Sequence, residues 1–411
     1  FAASAHMRIL YFSSRELWPR NSGARLRDYH FARQLATRAR VTYLGLLNPA
    51  DLPPTPIPAD TGLERSALVD KDPNFSPVKI LRGLLGPEPI TVHNNRSSRI
   101  EAELARTVNE GGGFDSVQVE GVHLVSYIPL LRAARHKPFV IADWHNIESE
   151  IMWRYSEKAD LARRLYARRT AKLIEDMELK LLRDCDIHLV CSARERAILQ
   201  SRVPNAHIEV VGNGVDVAYY SEAEPTSPTA ERRDILFVGS MDYHANIEAA
   251  LEFAGDVWPA MRVAHPDFRF VIVGRNPPQQ IRDLAAQPGV VVTGTVDDVR
   301  PWYRSAFAVV VPLRTGSGTR LKILEAMAAG VPVISTRLGA EGLNIQDGAN
   351  ILLAETAAEM QHAVDLLSQS PARWQALAAE GHALVEQEYD WKSLGRRLFD
   401  IHSLSREEPG A

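Results

Sequence analysis

The chain has 411 residues, 45% of them apolar and 24% charged, with a net charge of -4. That is core material for two domains at the usual size, and it excludes a disordered or fibrous chain. No uninterrupted apolar run approaches the roughly 18 residues that span a bilayer, and the two cysteines, Cys185 and Cys191, are too few for a disulfide framework or a cysteine zinc site. A cytoplasmic protein with two reduced core thiols is expected.

The charge is uneven: residues 7 to 215 carry 30 basic against 25 acidic residues, and the remainder 17 against 26. The first half is therefore expected to meet something acidic, such as a lipid phosphate, with no sign of a nucleic-acid partner. The six residues before Met7 read as a leftover of cloning.

In chain order, RILYFSS (8–14) is a short apolar run of the kind that forms a buried parallel strand. Asn21-Ser22-Gly23 follows, then LRDYHFARQLA with Leu26, Tyr29 or His30, Ala32 and Leu35 at helical spacing, then the strand VTYLGLL. This is a βαβ unit, and SVQVEG, FVIADWH and IHLVCS continue it. The proline-rich stretch Asn48 to Pro58 reads as a surface loop. Residues 221–234 (SEAEPTSPTAERRD) read as a linker. Beyond it DILFVGS, RFVIVGR, VVVTGT, AVVVPL and VPVIST predict a second parallel sheet. The expected organisation is an α/β protein of two Rossmann-like doubly wound domains facing a central cleft. The first covers 7–220 and is joined by a returning helix at 388–405; the second covers 235–387.

The most specific chemistry lies in PLRTGSGTRLKILEAMAAGVPVIST (312–336). Here a strand ends, a loop with Gly316, Ser317 and Gly318 follows, and a helix is predicted to begin near Thr319, which can cap it. Flexible backbone beside first-turn N–H groups is an anion-site layout. Arg320 and Lys322 place two cations in that first turn against the helix dipole, which a bound diphosphate would offset. Glu325, three residues on, shares that surface and can accept from ribose hydroxyls. The competing reading is an exposed Arg-Lys-Glu face of an ordinary helix.

This block resembles the donor signature of GT-B glycosyltransferases, specifically retaining family 4 (glycosyl transferases group 1). Milder landmarks agree in order and spacing: Gly23, VGNGVD (211–216), FVGSM (237–241), VIVGR (271–275) and VTGTVDD (292–298). The chain departs from the family where Ser317 replaces the first of two glutamates, and where Ser240, Ala245 and Asn246 stand near the usual Arg and Lys of the FVG turn. The resemblance implies that Arg320 and Lys322 neutralise the diphosphate, that Gly23 lies over the phosphates, and that Ser240, Arg275 and Thr295 are near the nucleotide. Ordinary turn and loop roles compete for Gly23, Arg275 and Thr295.

On the acceptor side, DWHNIES (143–149) sets polar groups at a strand's carboxyl end, where open α/β folds bind ligands. His145 resembles the histidine that contacts the transferred sugar, Glu120 ends the strand SVQVE, and His123 and Asn146 are nearby candidates. Asp143 and Glu148 equally suit a helix start.

The resemblance implies a metal-independent, cofactor-free hexosyltransferase that moves sugar from a nucleotide diphosphate donor to a glycan, lipid-linked or small-molecule hydroxyl, as in polysaccharide biosynthesis. Retention would follow front-face substitution. A GT-B nucleotide-sugar epimerase and a non-catalytic nucleotide-sugar-binding protein are the alternatives. A nicotinamide dehydrogenase is disfavoured because the first βα turn lacks G-x-G-x-x-G. Residues 154–172 carry seven basic and two acidic side chains, which suits either an anionic membrane at the inner face of the cell membrane or a solvated helix face.

Overall fold

The computed structural model describes residues 7–18, 22–47, 56–72, 75–221, 232–316 and 320–406. Outside these lie the first six residues, most of the proline-rich stretch (48–55), most of the expected linker (222–231), and Asn21, Ser317, Gly318 and Thr319. The chain divides into two compact units: residues 1–212 with 394–411, and 213–393.

The first unit contains seven parallel strands: β1 (Arg8–Ser13), β2 (Arg40–Leu47), β3 (Arg65–Asp70), β4 (Ser116–Glu120), β5 (Phe139–Asp143), β6 (Ile187–Val190) and β7 (Ile208–Val210). Their order is β3-β2-β1-β4-β5-β6-β7. The apolar runs are nearly fully buried because helices cover both faces, as a parallel sheet requires. Register fixes what lies at the carboxyl edge: Ser13 pairs with Glu120, and Glu120 with Asp143. Three polar residues thus end three adjacent strands at the point where strand order reverses.

Four helices of this unit bear on function. They are α1 (Gly23–Ala36), α2 (Pro77–Leu85), α3 (Glu148–Lys158) and α4 (Leu161–Asp184). Ser22 caps α1 by accepting from the Arg25 N–H, which places Gly23 at the first helical position.

The second unit holds six parallel strands: β8 (Asp234–Val238), β9 (Arg269–Val273), β10 (Val290–Gly294), β11 (Ala306–Val311), β12 (Val333–Ser335) and β13 (Leu352–Leu353). The order β10-β9-β8-β11-β12-β13 repeats the reversal between β8 and β11. Helix α5 (Leu321–Ala328) follows β11, and its Ile323, Leu324, Ala326 and Met327 are buried in the core of that unit. The last helix, α6 (Trp391–Ser403), starts in the second unit and passes into the first at Leu394.

The boundaries differ from those expected. Residues 213–220 belong to the second unit, where Tyr220 packs edge-on against Tyr303 at 5.8 Å and Val217 joins the core. Residues 388–393 do so as well, since Val215 bonds to the backbone of Tyr389. Cys185 and Cys191 are both buried free thiols.

Candidate functional site

In the first unit the carboxyl edge carries a dense, buried polar cluster. Arg27 of α1 is fully buried and grips Asp143 with two bonds, Nε to Oδ2 at 3.1 Å and Nη2 to Oδ1 at 2.9 Å. It also donates to the carbonyls of Val211 and Gly212, so one guanidinium ties α1, β5 and the chain leaving β7. Asp143, expected as a helix-start or substrate residue, is instead Arg27's buried counter-charge.

Next to this pair, Asp28 accepts from Ser13 Oγ at 2.8 Å. His145, two residues past β5, brings its Nε2 to 3.0 Å from Glu120 Oε2 and 3.6 Å from Asp28 Oδ1. Arg15 Nη1 lies 3.2 Å from the same nitrogen. A guanidinium only donates, so His145 Nε2 is an acceptor and the ring proton sits on Nδ1. Burial, reinforced by the Arg15 charge, lowers the His145 pKa to about 4 and keeps the ring neutral. Burial also raises Glu120 to about 8, with the Asp143 carboxylate adding to the effect, and raises Asp28 to about 6 against the opposing pull of Arg15. The raised Glu120 pKa favours the protonated carboxyl beside the neutral ring.

The ligand atoms of Asp28, Glu120 and His145 all lie within 4.8 Å of one another, a spacing a cation would accept. Arg15 already supplies positive charge to that cluster, 3.7 Å from Asp28 Oδ2, and would repel one. His123 is half-buried, with its pKa lowered to about 4 by burial and then by Arg15 and His145. Asn146 bonds to Glu148, at the start of α3.

Sequence reasoning missed a layer beneath Glu120. Gln118 donates from Nε2 to Glu120 Oε1 at 2.7 Å and to Asp143 Oδ2 at 3.2 Å, which leaves its carbonyl to accept from His402 Nε2 at 2.9 Å. His402 Nδ1 then accepts from Ser116 Oγ at 2.7 Å. Burial lowers His402 to about 3, so it is neutral and its tautomer is fixed by these two partners. The chain His402–Gln118–Glu120–His145 is continuous. Its only legible signal was a polar alternation, Ser116, Gln118 and Glu120, inside a strand that is otherwise valine.

In the second unit, Ser240, Gly316, Arg320, Lys322 and Glu325 follow β8 and β11, the two strands at the reversal, while Arg275 and Thr295 follow β9 and β10. The Lys322 ammonium donates to Asn246 Oδ1 at 2.8 Å and lies 4.5 Å over the Phe237 ring. Asn246 in turn donates to the Ser240 carbonyl. Thus Asn246, near the family's usual lysine position, anchors a lysine from another element. Gly239 makes this possible, since a Cβ there would sit 2.8 Å from both Lys322 Nζ and Asn246 Nδ2. Burial, then Arg320, lowers Lys322 to about 7.

Arg320 stands at the N-cap position of α5, which begins at Leu321 and has no side-chain cap there. The competing reading of an exposed Arg-Lys-Glu face fails at its first residue: Arg320 is 5% exposed. Ser317, Gly318 and Thr319, including the expected Thr319 cap, lie outside the described residues. Gly316 has φ +103°, and a Cβ on it would lie 2.6 Å from the Tyr243 hydroxyl.

Glu325 accepts from Tyr303 at 2.9 Å, and Tyr220 also bonds to it. Burial raises its pKa. Arg275 is exposed and bonds to Ser240 Oγ and Asp242 at 3.1 Å each, while Thr295 is exposed past the Gly294 turn. Among predicted donor residues the structure joins Ser240 to Arg275, and Lys322 to the Ser240 turn; Thr295 has no described partner in that group.

A family model described as Glycosyltransferase Family 4 matches residues 23–219, and one described as Glycosyl transferases group 1 matches 232–370. The chain belongs to the group 1, family 4 glycosyltransferases. Glycogen synthase of Mycobacterium tuberculosis is 26% identical over 244 residues, 56% of this chain and 57% of that protein. The chain spans about half the length of the curated relatives it matches. Sucrose-phosphate synthase from Thermosynechococcus elongatus superposes with TM-score 0.68 at 16% identity, covering 98% of this chain and 100% of that one. The Anabaena protein HepE in complex with UDP-glucose superposes with TM-score 0.63 at 16% identity, covering 97% and 100%. These likenesses make the fold GT-B for this family member.

Proposed function

We propose that this glycosyltransferase takes a sugar from a nucleoside diphosphate donor, delivers it with retention to a glycan, lipid-linked or small-molecule hydroxyl, and needs no metal. The observation that carries this is Lys322, an ammonium held at the β8 turn with its pKa lowered to about 7. Such a group gains most from an arriving diphosphate, which restores its charge and accepts its protons. Arg320 adds a second cation, and Glu325, braced by two tyrosines, accepts from ribose hydroxyls.

In the reaction the bond from the anomeric carbon to the phosphate oxygen breaks, and the acceptor oxygen bonds to that carbon on the same face. The acceptor's proton passes to the departing phosphate oxygen, so no protein nucleophile is required. Lys322 and Arg320 stabilise the charge that develops there. His145, neutral with its proton on Nδ1, donates to a hydroxyl of the transferred sugar, and Glu120 holds the ring in place.

Relatives and neighbours whose names specify sugar nucleotides support the donor class. The test is to incubate UDP-glucose or GDP-mannose with acceptor hydroxyls in the presence of EDTA and analyse the product's anomeric configuration. An inverted product, or loss of transfer in chelator, overturns the mechanism. A changed sugar without acceptor identifies an epimerase, and binding without turnover a non-catalytic receptor.

A further inference from the structure

A surface remote from these residues in sequence is built unlike the rest of the first unit. Helix α2 is nine residues long, too short to persist on propensity alone, and of its side chains and backbone only Gly83 is buried. Its aliphatic residues face outward: Val78 is 59% exposed, Leu81 57% and Leu85 77%. What holds it is Gly83 packed on Ile90 and Arg169 of α4, which donates to the carbonyls of Gly83 at 3.0 Å and Gly86 at 2.5 Å.

Those two bonds place the amino-terminal half of α4 beside the carboxyl end of α2. One and two turns before Arg169, on the same side of α4, stand Leu165 at 64% exposure and Leu161 at 73%. The two helices therefore present one apolar strip, larger than scattered surface leucines explain. The charge on the two segments has one sign, with Asp160, the N-cap of α4 just before Leu161, paired to Arg163 at its edge. Neither 75–86 nor 161–174 contains a carboxylate, while they carry two and five basic residues.

We propose that α2 and the amino-terminal half of α4 dock this protein on an anionic lipid bilayer, with leucines entering the acyl boundary and Arg82, Arg163 and Arg168 meeting lipid phosphates. Apolar area together with cations is the combination by which interfacial helices bind without spanning. No described helix is long and apolar enough to cross a membrane, so the contact is peripheral. Nucleic acid offers phosphates but no apolar phase for the leucines, and a second copy of the chain would bring the same positive charge to the interface.

The experiment is co-sedimentation of the full chain with vesicles of phosphatidylcholine alone or with 30% phosphatidylglycerol (about one lipid in three charged, a choice that sets the surface potential). Binding is expected to the mixed vesicles and to be weak on the neutral ones. L81Q/L85Q/L165Q should lower the bound fraction at least tenfold. R82Q/R168Q should lower it several-fold and remove most of its salt dependence. Sugar-nucleotide binding by the second unit should be unchanged in both variants, which separates this proposal from the assignment of activity.

Absence of binding to anionic vesicles, or equal binding by the leucine variant, overturns the proposal. So does equal binding to the anionic vesicles by R82Q/R168Q and wild type. A concentration-dependent dimer in sedimentation velocity that the leucine variant abolishes also overturns it, in favour of a second copy.

Discussion

With Lys322 on the donor phosphates as proposed, its depressed pKa makes donor binding a proton-linked event whose size can be worked out. The free ammonium titrates at about 7. Pairing with a diphosphate returns it toward the ordinary lysine value of about 10.4. Binding above neutrality must then draw a proton from solvent, and affinity falls as pH rises through 7. With those two values the dissociation constant rises about 50-fold between pH 7 and pH 9, nearly tenfold per unit at the upper end. Below pH 6 it is flat.

The clean probe is an intact sugar nucleotide, such as UDP-glucose or GDP-mannose, because its bridging diphosphate does not titrate in this range. Calorimetry in two buffers of different ionisation enthalpy should show uptake of close to one proton at pH 8.5. Lys322→Met should abolish both the slope and the uptake, and weaken binding at pH 6.5 by roughly 10- to 100-fold, the worth of a charge-assisted bond. A wild-type profile flat from 7 to 9, or a slope surviving in the methionine variant, refutes the assignment of Lys322 to the phosphates.

His145→Ala should lower kcat at least 100-fold while leaving nucleotide affinity within about twofold, as loss of an interaction with the reacting sugar requires; steady-state kinetics beside calorimetry checks the split. Glu325→Gln keeps the shape that Tyr303 and Tyr220 hold but removes the charge, and should weaken a ribonucleotide by about 10-fold while hardly affecting its 2′,3′-dideoxy analogue. Arg27→Met strands the buried Asp143 carboxylate, and should cost about 3 to 5 kcal/mol of first-unit stability, read as a lowered denaturant midpoint. His402→Leu frees the Gln118 amide to rotate, and should shift the pH profile of kcat while sparing nucleotide affinity; an unchanged profile would leave His402 a packing residue.

The parallel sheets were legible because strands covered on both faces must be largely apolar, and RILYFSS, RFVIVGR and AVVVPL have no other good use. Strands β3, β7 and β13 escaped notice for the opposite reason. β7 and β13 are only three and two residues long, and β3 lies at a sheet edge with charged ends, so burial imposes little pattern on Arg65–Asp70. His145 and Glu120 were found because strand ends at a reversal are where polar groups collect, and they do meet there. Arg27 and Asp28 were not: in LRDYHFA they look like a helix's solvent side, and only the row of Ser13, Glu120 and Asp143 across three strands gives them a reason to be inside. At α5 the spacing of Arg320, Lys322 and Glu325 was readable, but their exposure was not, since charge in sequence says nothing about the depth of a turn.

The His402 contact has a consequence for how the molecule comes into being. The first unit is interrupted in sequence by the whole of the second, and the imidazole that orients Gln118 arrives on the last helix. During synthesis the strand Ser116–Glu120 leaves the ribosome almost three hundred residues, roughly fifteen seconds or more at ordinary elongation rates, before its partner exists. Until then Ser116, Gln118 and their neighbours lack the group that completes the chain to Glu120 and His145. The second unit, continuous in sequence, can finish first. The cluster around His145 is therefore assembled only when the C-terminal helix closes on the first sheet, so a nascent chain released before residue 402 would hold a folded second unit beside an unfinished first one.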